Sequence, residues 1–228
     1  MVKTSIARVV QDLIDRDPSI QDALRRGYGN YSAIARLLKP MVEEELGREV
    51  TLEGLITSVK RASVTYKPSR EYLRIVAGSI LNMRTDVAKF SVEKTRRNIE
   101  MIRGVIADYP ESFLQVLEGT RTLTLIFDQR IMGELRPMFR EADILDERQN
   151  LAALIVESPR EIVDTPGCIT AFYNPISRAG INIEETVSCF NETIIVLRME
   201  DAGRAFTILT DLIREARRLL ARPSRRPV

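Results

Sequence analysis

The chain of 228 residues contains no histidine and no tryptophan. Histidine is the usual general base near neutral pH and the commonest metal ligand. Its absence excludes a Ser-His-Asp triad, a Cys-His pair and most zinc sites. Carboxylate-only chemistry remains possible. The expectation is therefore a protein that is not an enzyme, with no metal and no cofactor. Cysteine is scarce too: only Cys168 and Cys189 occur. Two cysteines make no disulfide framework, and both read most simply as small core residues in a reducing compartment. No apolar run approaches the roughly 18 residues that span a bilayer. The first residues, Met1-Val2-Lys3-Thr4-Ser5, run into an amphipathic helix pattern with no signal-peptide core, so the expected location is the cytoplasm.

What is present has the balance of a globular protein, 44% hydrophobic and 29% charged. The net charge of +2 is unevenly spread: +3 over residues 1–75, −6 over 76–213 and +5 over 214–228. Basic ends allow an anionic partner without requiring one.

The first third reads as helices. Ile6, Val9, Val10 and Leu13 share one helical face. Asp17-Pro18 pairs an N-cap with a proline at the first helical position, and Gly27 and Gly29 close that short helix. Asn30 caps a third helix carrying Ile34, Leu37 and Leu38, which Pro40 should end or kink. Met41, Val42 and Leu46 continue an apolar face to Gly47. Thr51 caps a fourth helix with Leu52, Leu55, Ile56 and Val59 at spacings of 3, 4 and 7. The segments Asn30–Leu38 and Glu49–Arg61 resemble a helix-turn-helix. In that arrangement the Thr51 helix would be the reader, offering Thr51, Thr57, Ser58, Lys60 and Arg61 to DNA. Glu49 and Glu53 would repel phosphates, and a small helical docking or oligomerisation module fits the same pattern. Lys67-Pro68-Ser69 marks a loop, and Glu71–Leu81 reads as a linking helix.

From about Asp86 the pattern turns to mixed strand and helix. Val87–Val92 alternates as a strand, Glu93–Ala107 is helical, and Phe113–Leu117 and Thr122–Phe127 form a hairpin about Gly119-Thr120. Gln129–Phe139 reads as a helix and Asp143–Leu145 as a short closing strand. The order is βαββαβ. It then restarts: strand Leu151–Val156, helix Pro166–Arg178, strands Ile181–Cys189 and Thr193–Leu197, helix Ala202–Leu219. The second unit lacks an obvious last strand. An unpaired edge invites pairing, so the preceding unit or another chain should cover it, and a homo-oligomer is expected. The arginine-rich end reads as a solvated tail.

The run Leu151–Cys168, ending Asp164-Thr165-Pro166-Gly167-Cys168, and the segment Ala179-Gly180-Ile181-Asn182-Ile183 followed by Glu184–Cys189 resemble an ACT domain. The likeness is to the regulatory ACT domains at the C-terminal end of aspartate kinases, without the kinase domain. It covers about 65 of the 228 residues. The preceding βαββαβ unit resembles an ACT unit in element order alone. The local chemistry agrees. Thr165 can cap the helix, Pro166 suits its first position, and Gly167 keeps bulk from its entrance. The free N–H groups and the positive end of the helix dipole there favour an anion such as an amino-acid carboxylate. Gly180 fits a left-handed exit from the helix, and Asn182 offers an amide. The resemblance implies a small-molecule effector, an amino acid or similar metabolite, held by Asp164, Thr165, Pro166, Gly167, Cys168 and Asn182, often at an interface between two ACT units. Pro175 departs from an ideal helix and should kink it.

The fold expected is α+β. A helical module with helix-turn-helix character (1–66) and a linker (67–85) precede two ACT-like βαββαβ, ferredoxin-like units (86–148 and 149–219) and a basic tail (220–228). A regulatory protein that senses an amino acid and acts on DNA, and an interaction protein whose ACT-like units only oligomerise or dock on an enzyme, are both consistent with it. No membrane partner is expected.

Overall fold

The computed structural model describes residues 5–66 and 70–221. Two compact units form, residues 1–69 and 70–228.

The first unit has four helices: α1 (Ile6–Asp15), α2 (Pro18–Arg26), α3 (Tyr31–Leu46) and α4 (Leu52–Ala62). Side-chain caps start each one. Ser5 accepts from Arg8 N, Asp17 from Ser19 N and Ile20 N, Asn30 from Ser32 N and Ala33 N, and Thr51 from Gly54 N. Gly27 and Gly47 close α2 and α3 in the left-handed conformation. The core joins Val9, Val10 and Ile14 to Leu38, Val42, Leu55 and Val59. Pro40 does not end α3, which runs unbroken to Leu46. A mid-helix proline costs about 3 kcal/mol. Leu38 and Val42 flank it fully buried, and each contributes about 1.5–3 kcal/mol. Packing outweighs the proline.

The second unit begins with α5 (Arg70–Gly78) and continues β1 (Ile80–Glu93), α6 (Arg96–Asp108), β2 (Leu114–Glu118), β3 (Thr122–Asp128), the short α7 (Met132–Leu135), β4 (Ile144–Glu157), α8 (Cys168–Arg178), β5 (Glu185–Cys189), β6 (Glu192–Arg198) and α9 (Met199–Ala221). The stretch expected as linker is thus helix and strand from Arg70 onward; residues 67–69 lie outside the described residues. The helix expected over Gln129–Phe139 is broken into α7 and flanking 3₁₀ turns, with Pro137 in the second of them.

Six strands form one antiparallel sheet in the order β2-β3-β1-β4-β6-β5. The expected boundary at 148/149 falls inside β4. Both β1 and β4 are 14 residues long and pair with each other in both halves. The first part of β1 pairs with the last part of β4, Ile80 opposite Glu157 and Arg84 opposite Ala153. That is the strand the second expected βαββαβ unit lacked: it comes from upstream, and the spatial order β1-β4-β6-β5 then matches β4-β1-β3-β2 in the first half. Each long strand turns at a non-glycine residue with positive φ, Asp86 (54°) and Asn150 (57°), where the ladder shifts register. Asp and Asn tolerate this conformation better than other side chains. One buried cluster runs from Ile126 on β3 through Val87 on β1 and Leu151 and Ala153 on β4 to Ile194 and Val196 on β6. The opposite faces carry helices. Phe90, Leu125 and Phe127 pack with Ile102 and Val105 of α6, and Leu154, Ile195 and Leu197 pack with α5, α8 and α9 through Ile75, Phe172 and Leu209. Lys89 is buried between the halves, with its ammonium 3.2 Å from Asp146 and donating to Glu184 O. No helix among the described residues is long and apolar enough to cross a membrane.

Candidate effector site

β4 leads into a 3₁₀ turn, Arg160–Val163, and then α8. The base of this loop is fixed. Ser158 N donates to Asn191 O and Asn191 Nδ2 to Ser158 O, both at 2.9 Å, tying it to the β5–β6 hairpin. Ser158 Oγ lies 3.0 Å from Ser79 Oγ, both residues buried. Pro159 packs so close to Gly78 that a Cβ there would sit 2.8 Å from Pro159 Cγ.

Thr165 does not cap α8. Its hydroxyl donates to Glu161 O at 2.8 Å, back into the 3₁₀ turn. The N-cap is Gly167, at φ 84°, with no side-chain bond to the helix start. Cys168, not Pro166, is the first helical residue. Its side chain is buried in the core and its thiol is pushed up, first by burial and then by the nearby Glu71 carboxylate. Asp164, Pro166 and Gly167 are exposed. The first N–H groups of an 11-residue helix are thus left without a side-chain acceptor, an arrangement that suits an anion.

Asn182 lies elsewhere. The chain leaves α8 through Gly180, at φ 72°, and Ile181 N donates to Ile176 O. Asn182 Nδ2 then donates to Glu184 Oε1 at 3.3 Å, and Glu184 pairs with Arg198. The 11 residues of α8 separate Asn182 from the loop by about 16 Å at 1.5 Å per residue. Within one chain the two parts of the motif are not brought together. Pro175 sits inside α8, which continues past it to Arg178.

Three exposed apolar side chains, which the motif did not flag, surround the loop or its hairpin: Val163, Ile169 and Phe190. Phe190 holds φ 52° and lies under the Arg160 guanidinium at 5.8 Å. Nothing local in the sequence marks an aromatic residue for positive φ.

In the helical unit Thr57, Lys60 and Arg61 are exposed on α4. Thr51 spends its hydroxyl on the cap. Ser58 is buried and donates to Gly54 O at 2.8 Å, so it is not presented to any partner.

No family model matches this sequence, and no curated protein does. Solved structures do. An aspartate kinase from Synechocystis matches with a TM-score of 0.50 at 13% identity, over 60% of this chain and 27% of its own. The ligand-free regulatory subunit of aspartate kinase from Thermus thermophilus matches with a TM-score of 0.49 at 11% identity, over 58% of this chain and 95% of its own. Aspartate kinase from Clostridium acetobutylicum matches with a TM-score of 0.48 at 13% identity, over 58% of this chain and 34% of its own. At these identities the likeness is one of fold. This chain spans nearly the whole regulatory subunit and about a third or less of the two full-length kinases.

Proposed function

We propose that this chain is a regulatory protein without catalysis of its own, whose ACT-like units sense a small effector, an amino acid or similar metabolite, at residues 164–168. The observation that carries this reading is the start of α8: a left-handed Gly167 entry with no side-chain cap, on a loop anchored at both neighbours. Asn182 joins the site from a second copy. β5 is an edge strand, running from the Asn182 end of the sheet to the hairpin beside the loop. Twofold antiparallel pairing of two β5 edges sets Asn182 of the partner subunit near this chain's loop. An exposed edge favours such pairing. A dimer is expected by light scattering at tens of micromolar; a monomer there removes the shared site. The effector is to be found by a thermal-shift screen of the twenty amino acids and the purines, since a ligand of the folded state raises Tm by linkage. No shift with any of them favours the second reading, in which the sheet serves only to oligomerise or dock.

The helical unit is proposed as the output module, a helix-turn-helix of α3 and α4 reading DNA through Thr57, Lys60 and Arg61. Thr51 serves only as the cap, and Ser58 bonds back to Gly54 O. Replacing Lys60 and Arg61 with alanine should weaken binding at all sequences and lower the salt slope by about one unit per lost phosphate contact. Gel retardation on genomic fragments from around its own gene, with a chain ending near Leu220 to remove the basic tail, tests this. Weak, sequence-blind retardation that vanishes with the tail argues for docking instead.

A further inference from the structure

The two halves of the second unit follow one plan, and one half fills with its own side chains a place that the other leaves open. The kinks Asp86 and Asn150 correspond, which matches Arg84 with Arg148. The ladders correspond too: Val87 faces Asp128 and Leu151 faces Arg198. Asp128 is therefore matched with Arg198, and Arg130 with Glu200.

In the first half the Asp128 carboxylate bridges two arginines. It accepts from Arg84 at 2.9 Å and from Arg130 at 3.0 and 2.7 Å, and its side chain is only 10% exposed. Arg84 also lies over the Phe113 ring at 5.0 Å. In the second half an arginine stands where the acid would be. Arg148 turns to Asp146 at 3.1 Å, and Arg198 to Glu184 at 3.1 Å and Glu200 at 3.8 Å. Among the described residues no single carboxylate is shared by Arg148 and Arg198. An open surface cavity of about 300 Å3 lies there, its lining including Arg148, Asn150, Glu184, Arg198 and Glu200.

We infer that this cavity binds a small α-amino acid, whose carboxylate bridges Arg148 and Arg198 as Asp128 bridges Arg84 and Arg130. Arginine recognises a carboxylate through paired, charge-assisted hydrogen bonds. Glu184 and Glu200 on the same wall provide for an ammonium group and disfavour a second acid, so a zwitterion fits better than a dicarboxylate. The volume lies at the small end of ligand pockets. The site stands apart from the loop before α8: Arg198 ends β6, and the loop is tied to the hairpin at its start.

The test is calorimetric titration of the full chain with each of the twenty amino acids, and with succinate for comparison. An amino acid should bind, and Arg148→Gln and Arg198→Gln should each weaken it about tenfold or more, the loss of one charge-assisted hydrogen bond. A binding event lost in Gly167→Val and kept in both glutamine variants belongs to the α8 loop and not to this cavity. The pair Arg198→Asp with Glu200→Arg copies Asp128 and Arg130; it should abolish binding. Unchanged affinity in both glutamine variants, succinate binding more tightly than every amino acid, or no binding up to about 10 mM, weaker than the millimolar range, overturns the assignment.

Discussion

Asp128→Asn should lower the stability of the sheet unit by about 2–3 kcal/mol, within the range for hydrogen bonds to charged groups. Breaking a wholly buried ion pair costs more, about 3–5 kcal/mol, but Arg130 is 82% exposed and keeps its hydration when the charge is removed. At about 2–4 °C per kcal/mol for a unit of this size, Tm should fall by roughly 4–12 °C. The effect depends on pH with a definite sign. Hydrogen bonds from Arg130 first, and from Arg84, hold the Asp128 carboxyl well below the usual carboxylate range, against the opposing effect of burial. A carboxyl depressed in the folded state stabilises fully above its unfolded pKa, about 3.9, and that contribution is lost as pH falls towards the folded value. The gap in stability between parent and variant should therefore be constant near neutrality and shrink below about pH 4. Denaturation at a series of pH values checks this, and a gap of the same size at pH 3 and pH 7 refutes it.

Gly167→Val should abolish any effector response at the α8 loop and cost about 1–3 kcal/mol. Nothing lies within 4 Å of where a Cβ would sit, so the cost is not crowding. It is the backbone: φ is 84°, and a β-branched residue at positive φ is a conformational outlier. Gly167→Asn separates the two explanations, because asparagine tolerates the left-handed region. It should melt within about 1 kcal/mol of the parent, since asparagine visits this region routinely, and keep the effector shift. Equal losses in both variants would mean that the loop has no room for any side chain once the ligand is bound.

The parts of the molecule that are local in sequence were legible. Asp17, Asn30 and Thr51 cap the helices they were expected to cap, because a cap is a contract between neighbours two or three residues apart. The βαββαβ order could likewise be read from periodicity. What escaped was set at a distance. Ile80–Arg84 alternates only over Leu81-Asn82-Met83-Arg84, a short run continuous with the helical pattern before it, and Ala153–Glu157 pairs beside it as a strand. Thr165 resembled a cap, but a preceding 3₁₀ turn offered its hydroxyl the carbonyl of Glu161 first. Ser58 could have been placed correctly: it lies three residues from Leu55 and four from Ala62, both buried, so helical spacing alone sets it on the inward flank. The separation of Asn182 from the Gly167 loop follows once α8 is laid back along β4, a step that motif spacing does not take.

The strand borrowed from upstream has a consequence for the chain as it is made. Ile80–Arg84 emerges about 70 residues before the segment it pairs with. At roughly 5–20 residues per second, that is a wait of roughly 4–14 s. During it the edge around Leu81 and Met83 has no ladder to join and is open to other chains. Local pieces such as the β2–β3 hairpin can close early, yet β1 cannot pair along its whole length until residue 157 is available. Long-range closure of this kind is slow. The newborn protein is therefore most exposed to chaperones, and to its own neighbours on the same message, while β4 is still being synthesised.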